Sequence, residues 1–136
     1  MAGYSGTPLP TKLGIKEGSR VALVGAPAGF DLGVLPTGAV VAKRLGKQHD
    51  VIVAFVTVRG KLAGLIDQLR TKMTDAAGLW IAWPKKASGV ATDMTEQAIR
   101  DVALPTGLVD NKVCAIDETW SGLRLVIRRE LRSARK

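Results

Sequence analysis

Asp50-Val51-Ile52-Val53-Ala54-Phe55-Val56, then Leu62, Leu65, Ile66, Leu69 and Met73, then Gly78-Leu79-Trp80-Ile81-Ala82-Trp83-Pro84: this stretch decides the fold. The first run is apolar at successive positions, so both of its faces must be buried, as in a central strand of a parallel sheet. The next five residues fall at the i, i+3, i+4, i+7, i+11 spacing of one helical face and predict a helix over about 59–73. Lys61, Gln68, Arg70 and Lys72 take the rest of that cylinder. The third run is again apolar throughout and stops at Pro84, which cannot donate to a strand ladder. Strand, helix, strand at this spacing is a βαβ unit, and its crossover is right-handed.

Working outward, Arg20-Val21-Ala22-Leu23-Val24-Gly25 reads as a strand that runs straight into a Gly/Pro/Ala turn, and Gly38–Ala42 as a weaker one. A short helix is expected at 9–14. A second long helix starts near Asp93, where Asp93 and Glu96 have capping-box spacing. It presents Ala98, Ile99, Val102 and Ala103, and it ends at Pro105 and Gly107. Lys112–Asp117 and Leu123–Arg128 then form an antiparallel hairpin, with Gly122 expected in the turn. The fold class is α/β: a three-layer, Rossmann-like, mainly parallel sheet with a C-terminal antiparallel hairpin.

The chain has 136 residues and 14.4 kDa, with 46% apolar and 24% charged side chains. These values predict a single domain over 1–136, with residues 1–19 as an extension bearing the short helix and 130–136 as a basic tail. No run is long enough for a membrane helix and no secretory pattern opens the chain, so a cytoplasmic protein with no membrane partner is expected. One cysteine excludes a disulfide framework, and one histidine excludes a His-rich metal site, so no metal is expected. The net charge of +8 is concentrated. Residues 121–136 hold six basic side chains against one acidic, while the first 120 hold fourteen against eleven. Arg124, Arg128, Arg129, Arg132 and Arg135 thus form a candidate nucleic-acid contact, weak and salt-sensitive.

A parallel core followed by a helix and a hairpin resembles the second half of a class I methyltransferase over residues 20–129. That resemblance implies S-adenosylmethionine bound at a Gly-x-Gly-like turn after the first strand. Here the turn is Gly25-Ala26-Pro27-Ala28-Gly29, and Pro27 removes one backbone donor and fixes its φ. The resemblance also implies an acidic residue for the ribose at the end of the second strand, where this chain has Lys43-Arg44. Both departures predict that no cofactor is held. More specifically, the chain resembles an uncharacterised bacterial family known as domain of unknown function 3052. The similarity lies in Leu13–Lys16 through Val24–Pro27, in Gly78–Gly89, and in Val102–Val113 with Asp117–Leu123.

Ligands of open parallel sheets bind outside the carboxyl ends of the strands. This chain brings to that rim Gly25, Ala26 and Gly29, then Lys85, Lys86 and Ser88, then Asp117, Glu118, Trp120 and Ser121. The lysines and Ser88 suit a small anion ahead of a helix N-terminus, unless they pair with Asp117 or Glu118. Trp120 reads as a lid over the sheet edge, Trp80 and Trp83 as core on opposite faces, Cys114 as an inert core thiol, and His49 as a surface loop residue. The leading expectation is a non-catalytic binding or regulatory protein that has lost S-adenosylmethionine binding. It would meet a protein partner, or a second copy, through its C-terminal edge. An enzyme or binder for an anionic small molecule, and weak nucleic-acid binding, stay open beside it.

Overall fold

Asp50–Phe55 lies at the centre of a six-stranded sheet. The structure is a computed structural model and describes residues 7–42 and 44–132. Residues 1–6, Lys43 and the tail from 133, with Arg135, lie outside the described residues. The elements are α1 (Leu9–Leu13), β1 (Arg20–Val24), β2 (Val40–Ala42), β3 (His49–Phe55), α2 (Leu62–Arg70), β4 (Met73–Pro84), α3 (Glu96–Ala103), β5 (Leu108–Ala115) and β6 (Trp120–Ile127). Their order in the sheet is β2-β1-β3-β4-β6-β5. The β1–β2, β1–β3 and β3–β4 pairs are parallel, and β6 runs antiparallel between β4 and β5.

Alternation along the strands divides the core in two. Ile52, Ala54, Leu79, Ile81, Leu123 and Leu125 face α2 and α3, meeting Leu62, Ile66, Leu69 and Ile99. Val51, Val53, Trp80 and Ala82 face the other way, onto Leu13, Ile15 and Leu32. The second layer is built of α1 and the chain between β1 and β2, not of long helices. The Trp80 indole N–H donates to the Leu13 carbonyl at 3.0 Å and fastens α1 to the sheet. Right-handed connections account for this division. The links β3–α2–β4 and β4–α3–β5 move in one direction across the sheet, whereas β1–β2 moves in the other and falls on the opposite face.

Four local expectations need correction. The helix ends at Arg70 rather than near 73, and Met73 already belongs to β4, which starts five residues before Gly78. The first turn of α3 is capped by Thr95, whose hydroxyl accepts from Ala98 N–H at 3.0 Å, while Asp93 accepts from Arg59 N–H at 2.7 Å. Gly122 is not in the hairpin turn. It sits within β6 opposite Ala82 and Cys114, where a Cβ would come within 2.8 Å of Ile116 and 3.0 Å of Trp80. The turn is made instead by Asp117, whose carboxylate accepts from Thr119 and Trp120 N–H, both at 2.8 Å. Finally, His49 is fully buried as the first residue of β3.

The outermost strand on the C-terminal side is β5, and it bulges at a register shift in its ladder with β6, between Asp110 and Lys112. A bulge and an edge lysine are the devices that discourage strand addition.

Candidate functional site

The connection out of β1 and the connection out of β3 leave for opposite faces, so the crevice of this sheet lies between the carboxyl ends of β1 and β3. Its floor is tight: Gly25 has φ 69°, and a Cβ there would sit 3.1 Å from the Phe55 carbonyl oxygen. Glycine is the residue such a close, left-handed approach requires.

Three aromatic side chains pack on one another beside that floor. After Gly25 the chain turns at Pro27–Phe30, with Phe30 N–H donating to the Pro27 carbonyl and Gly29 at φ 80°. This turn lays Phe30 edge-on against Phe55, with ring centroids 4.9 Å apart and planes at 68°. Phe55 in turn meets Trp120 at 5.0 Å and 89°. Edge-to-face pairs at these distances contribute about 0.5–1.5 kcal/mol each beyond the area they bury. The chain has two phenylalanines, and both are here. Trp120 is buried at the start of β6, opposite Pro84, while Lys85 N–H donates to the Thr119 carbonyl at 2.8 Å.

Of the residues expected at the rim, Gly29, Asp117 and Lys86 line clefts, and these are separate ones. Gly29 and Asp117 line one of about 340 Å³ together with Phe30 and Asp31. Its two carboxylates cap backbone amides, Asp31 that of Gly33 and Asp117 those of Thr119 and Trp120. Lys86 lines another of about 570 Å³ with Trp83, Asp93, Glu96 and Arg100, on the α3 side. The Ser88 hydroxyl is committed, donating to the Lys85 carbonyl at 2.6 Å and accepting from Val90 N–H at 3.1 Å. Gly25, Ala26 and Glu118 are exposed, Lys85 is half-buried, and Ser121 pairs with Trp83 and Ala115 inside the sheet. Among the described residues no ion pair joins Lys85 or Lys86 to Asp117 or Glu118. Arg100 instead pairs with Glu96 and, at 2.9 Å, with Asp110, tying α3 to β5 and raising its own pKa.

Three groups outside the rim complete the chemistry. The Cys114 thiol is half-buried, and burial pushes its pKa up, which keeps it protonated and unreactive. His49 Nε2 accepts from Gly46 N–H at 2.8 Å, and burial, then Arg20, lower its pKa. Arg124, Arg128, Arg129 and Arg132 stand at the opposite end of the sheet, along β6 and the turn after it. Among the described residues no three His, Cys, Asp or Glu side chains gather closely enough to hold a metal ion, and no helix is long and apolar enough to cross a membrane. The aromatic trio could not be read from the sequence. Phe30 lies in a loop without periodicity, and only the strand order brings it to Phe55.

The strand order and the inserted antiparallel strand define the Rossmann-like fold of class I S-adenosylmethionine-dependent methyltransferases. Solved structures agree. A fibrillarin pre-rRNA processing protein of Methanococcus jannaschii superposes with a TM-score of 0.61 at 15% identity, covering 84% of this chain and 68% of its own. A methyltransferase of Aquifex aeolicus gives 0.59 at 15%, covering 86% and 87%. The m1A22 tRNA methyltransferase TrmK of Bacillus subtilis gives 0.52 at 12%, covering 94% and 70%. No known family and no curated protein matches the sequence itself.

Proposed function

We propose that this chain keeps a methyltransferase-like fold as a non-catalytic binding scaffold, its cofactor crevice closed by its own side chains. The Phe30–Phe55–Trp120 stack supports the reading, because it commits the aromatic side chain at the carboxyl end of β3, beside the β1–β3 switch point, to packing within the protein. The surrounding residues do not fit the cofactor either. Residues 25–39 form no helix, so no helix N-terminus follows β1 to receive a negative charge from its turn. Pro27 lacks an N–H, and β2 ends in Ala42 with Arg44 exposed two residues on, where a ribose would need a carboxylate.

Calorimetric titration and thermal unfolding with S-adenosylmethionine and S-adenosylhomocysteine test the proposal. The expected result is no heat and no shift in Tm; a ligand at a hundred times its Kd would add about 2.7 kcal/mol of stability. Micromolar binding of either compound overturns it. A small anion at this rim has less support, since Lys86 and Asp117 stand in different clefts and the Ser88 hydroxyl is spent.

A further inference from the structure

At the amino end of the sheet the β3–β4 ladder is broken. From the pair His49–Met73 to the pair Val51–Gly78, β3 advances two residues and β4 advances five. The surplus on β4 leaves the ladder, and a cleft of about 360 Å³ opens beside it, whose walls include Lys16, Gly18, Ser19, Asp50, Ala76 and Arg124. Arg124 projects from β6 opposite Trp80 and Lys112, and its guanidinium lies across Gly78. Any Cβ at that glycine would come within 2.5 Å of Arg124 Nε. The strand is thus notched to receive this one side chain.

The Arg124 guanidinium is half-buried, and among the described residues it makes no hydrogen bond and no ion pair. The Asp50 carboxylate in the wall is already used: it accepts from Arg20 N–H at 2.8 Å and from the Thr74 hydroxyl at 3.4 Å. Glu17, also in the wall, is exposed at the mouth. The charged neighbour that acts on Arg124 is another guanidinium, Arg132, and burial together with that like charge lowers its pKa. Arg132 is held in place by its Nε–H donating to the Ile127 carbonyl at 3.0 Å. Arg128, between them in sequence, has a buried Nε with no partner. Guanidinium groups left unpaired in partly dry surroundings are costly, and an oxyanion offsets that cost through paired N–H donors.

The spread of the cations identifies the anion. Arg124 shares the cleft with Lys16, Glu17 and Asp50 and has Arg132 beside it, while Arg128 and Arg129 follow in the sequence at the end of β6, so the cationic side chains extend beyond the cleft itself. A chain of regularly spaced negative charges matches such a spread. No aromatic side chain lines the cleft, so it offers contacts to a backbone and no stacking surface for bases. We propose that this cleft docks the phosphate backbone of a nucleic-acid strand, with Arg124 as the anchor and Arg132 beside it, without preference for base sequence. The site is at the edge opposite the aromatic stack and does not depend on how that crevice is read.

Fluorescence anisotropy of the full chain with labelled single-stranded oligonucleotides of about 20 nucleotides, over a salt series, tests this. The expected outcome is binding that weakens with salt and is equal for unrelated sequences. Arg124→Gln should weaken it about tenfold and reduce the log–log salt slope by about 0.7, the loss of one phosphate contact on a single strand. Gly78→Ala, which keeps every charge but displaces the guanidinium, should weaken it too, whereas Arg129→Gln on the exposed turn should act less. Thermal unfolding of each variant confirms that it is folded, and Arg124→Gln decides the matter if Gly78→Ala is not. An unchanged slope in Arg124→Gln, no binding at low salt, or inorganic phosphate competing as well as the oligonucleotide overturns the proposal. The last result would assign the cleft to a free phosphoryl group.

Discussion

His49 is the chain's one histidine, and its neighbours Gln48 and Asp50 make it look like part of a polar loop. Its imidazole is instead buried, because β3 begins a residue earlier than the apolar run suggests, and the ring holds the turn at Gly46 through Nε2. An acceptor at Nε2 requires the neutral ring. Burial first, then Arg20, lowers the pKa below the ordinary 6.5. The unfolded chain therefore binds the proton at higher pH than the folded one, and stability rises with pH between those two values. This contribution is complete above about pH 6.5 and is lost as the pH falls through the folded pKa. Urea unfolding from pH 7 to pH 5 should show that loss, and His49→Gln, which keeps an acceptor but does not titrate, should remove it; an unchanged pH dependence would refute the assignment. Gly122 makes the same point about packing. A glycine next to a polar connection reads as a turn, yet it is the absence of a Cβ beneath Ile116 and Trp80 that the position requires. Gly122→Ala should cost about 1–3 kcal/mol by overpacking, read as a lower urea midpoint at constant slope.

Elements with strong periodicity could be read from the chain, and those fixed by tertiary register could not. The α2 stripe and the apolar runs of β3 and β4 gave their place and type, since burial on one face or both leaves a pattern in composition. The first residues of β4 carry no such pattern: Met73–Ala77 mix apolar, polar and acidic side chains because they bulge from the ladder. The hairpin was readable but displaced by a few residues, because Asp117 supplies the turn chemistry that Gly122 seemed to offer. At α3 two acceptors compete two residues apart. Asp93 has capping-box spacing to Glu96, but its carboxylate is taken by Arg59 N–H, so Thr95 caps the helix. Thr95→Ala should therefore cost about 1 kcal/mol in unfolding experiments. Asp93→Ala should leave α3 intact and speed amide exchange at Arg59. If Asp93→Ala frays α3 as Thr95→Ala does, the cap belongs to Asp93. The rim of the candidate site was legible from strand direction, whereas its division into two clefts depends on which face each loop takes.

Across the whole molecule the two ends of the sheet carry opposite arrangements. At the carboxyl edge, Phe30, Phe55 and Trp120 pack on one another edge to face. At the amino edge a register break leaves an open cleft, with a half-buried guanidinium that forms no ion pair among the described residues. The excess of positive charge looks, in the sequence, like a basic last strand and tail, but Arg124, with Arg132 beside it, gives part of it a place in the fold. A cation kept half-buried beside a like charge lowers stability, and sequences retain such a group where function needs it. This separates a binding role for Arg124 from a structural one. If Arg124 serves the fold, replacing it should destabilise the free protein. If it is held ready for an anion, Arg124→Met, which fills the same channel over Gly78 without charge, should raise the Tm of the free protein by a few degrees while oligonucleotide affinity falls. The gain should be largest in low salt, where Arg132 is least screened, and should shrink as salt rises. A fall in Tm on Arg124→Met would make the guanidinium a packing element and remove its claim to a ligand.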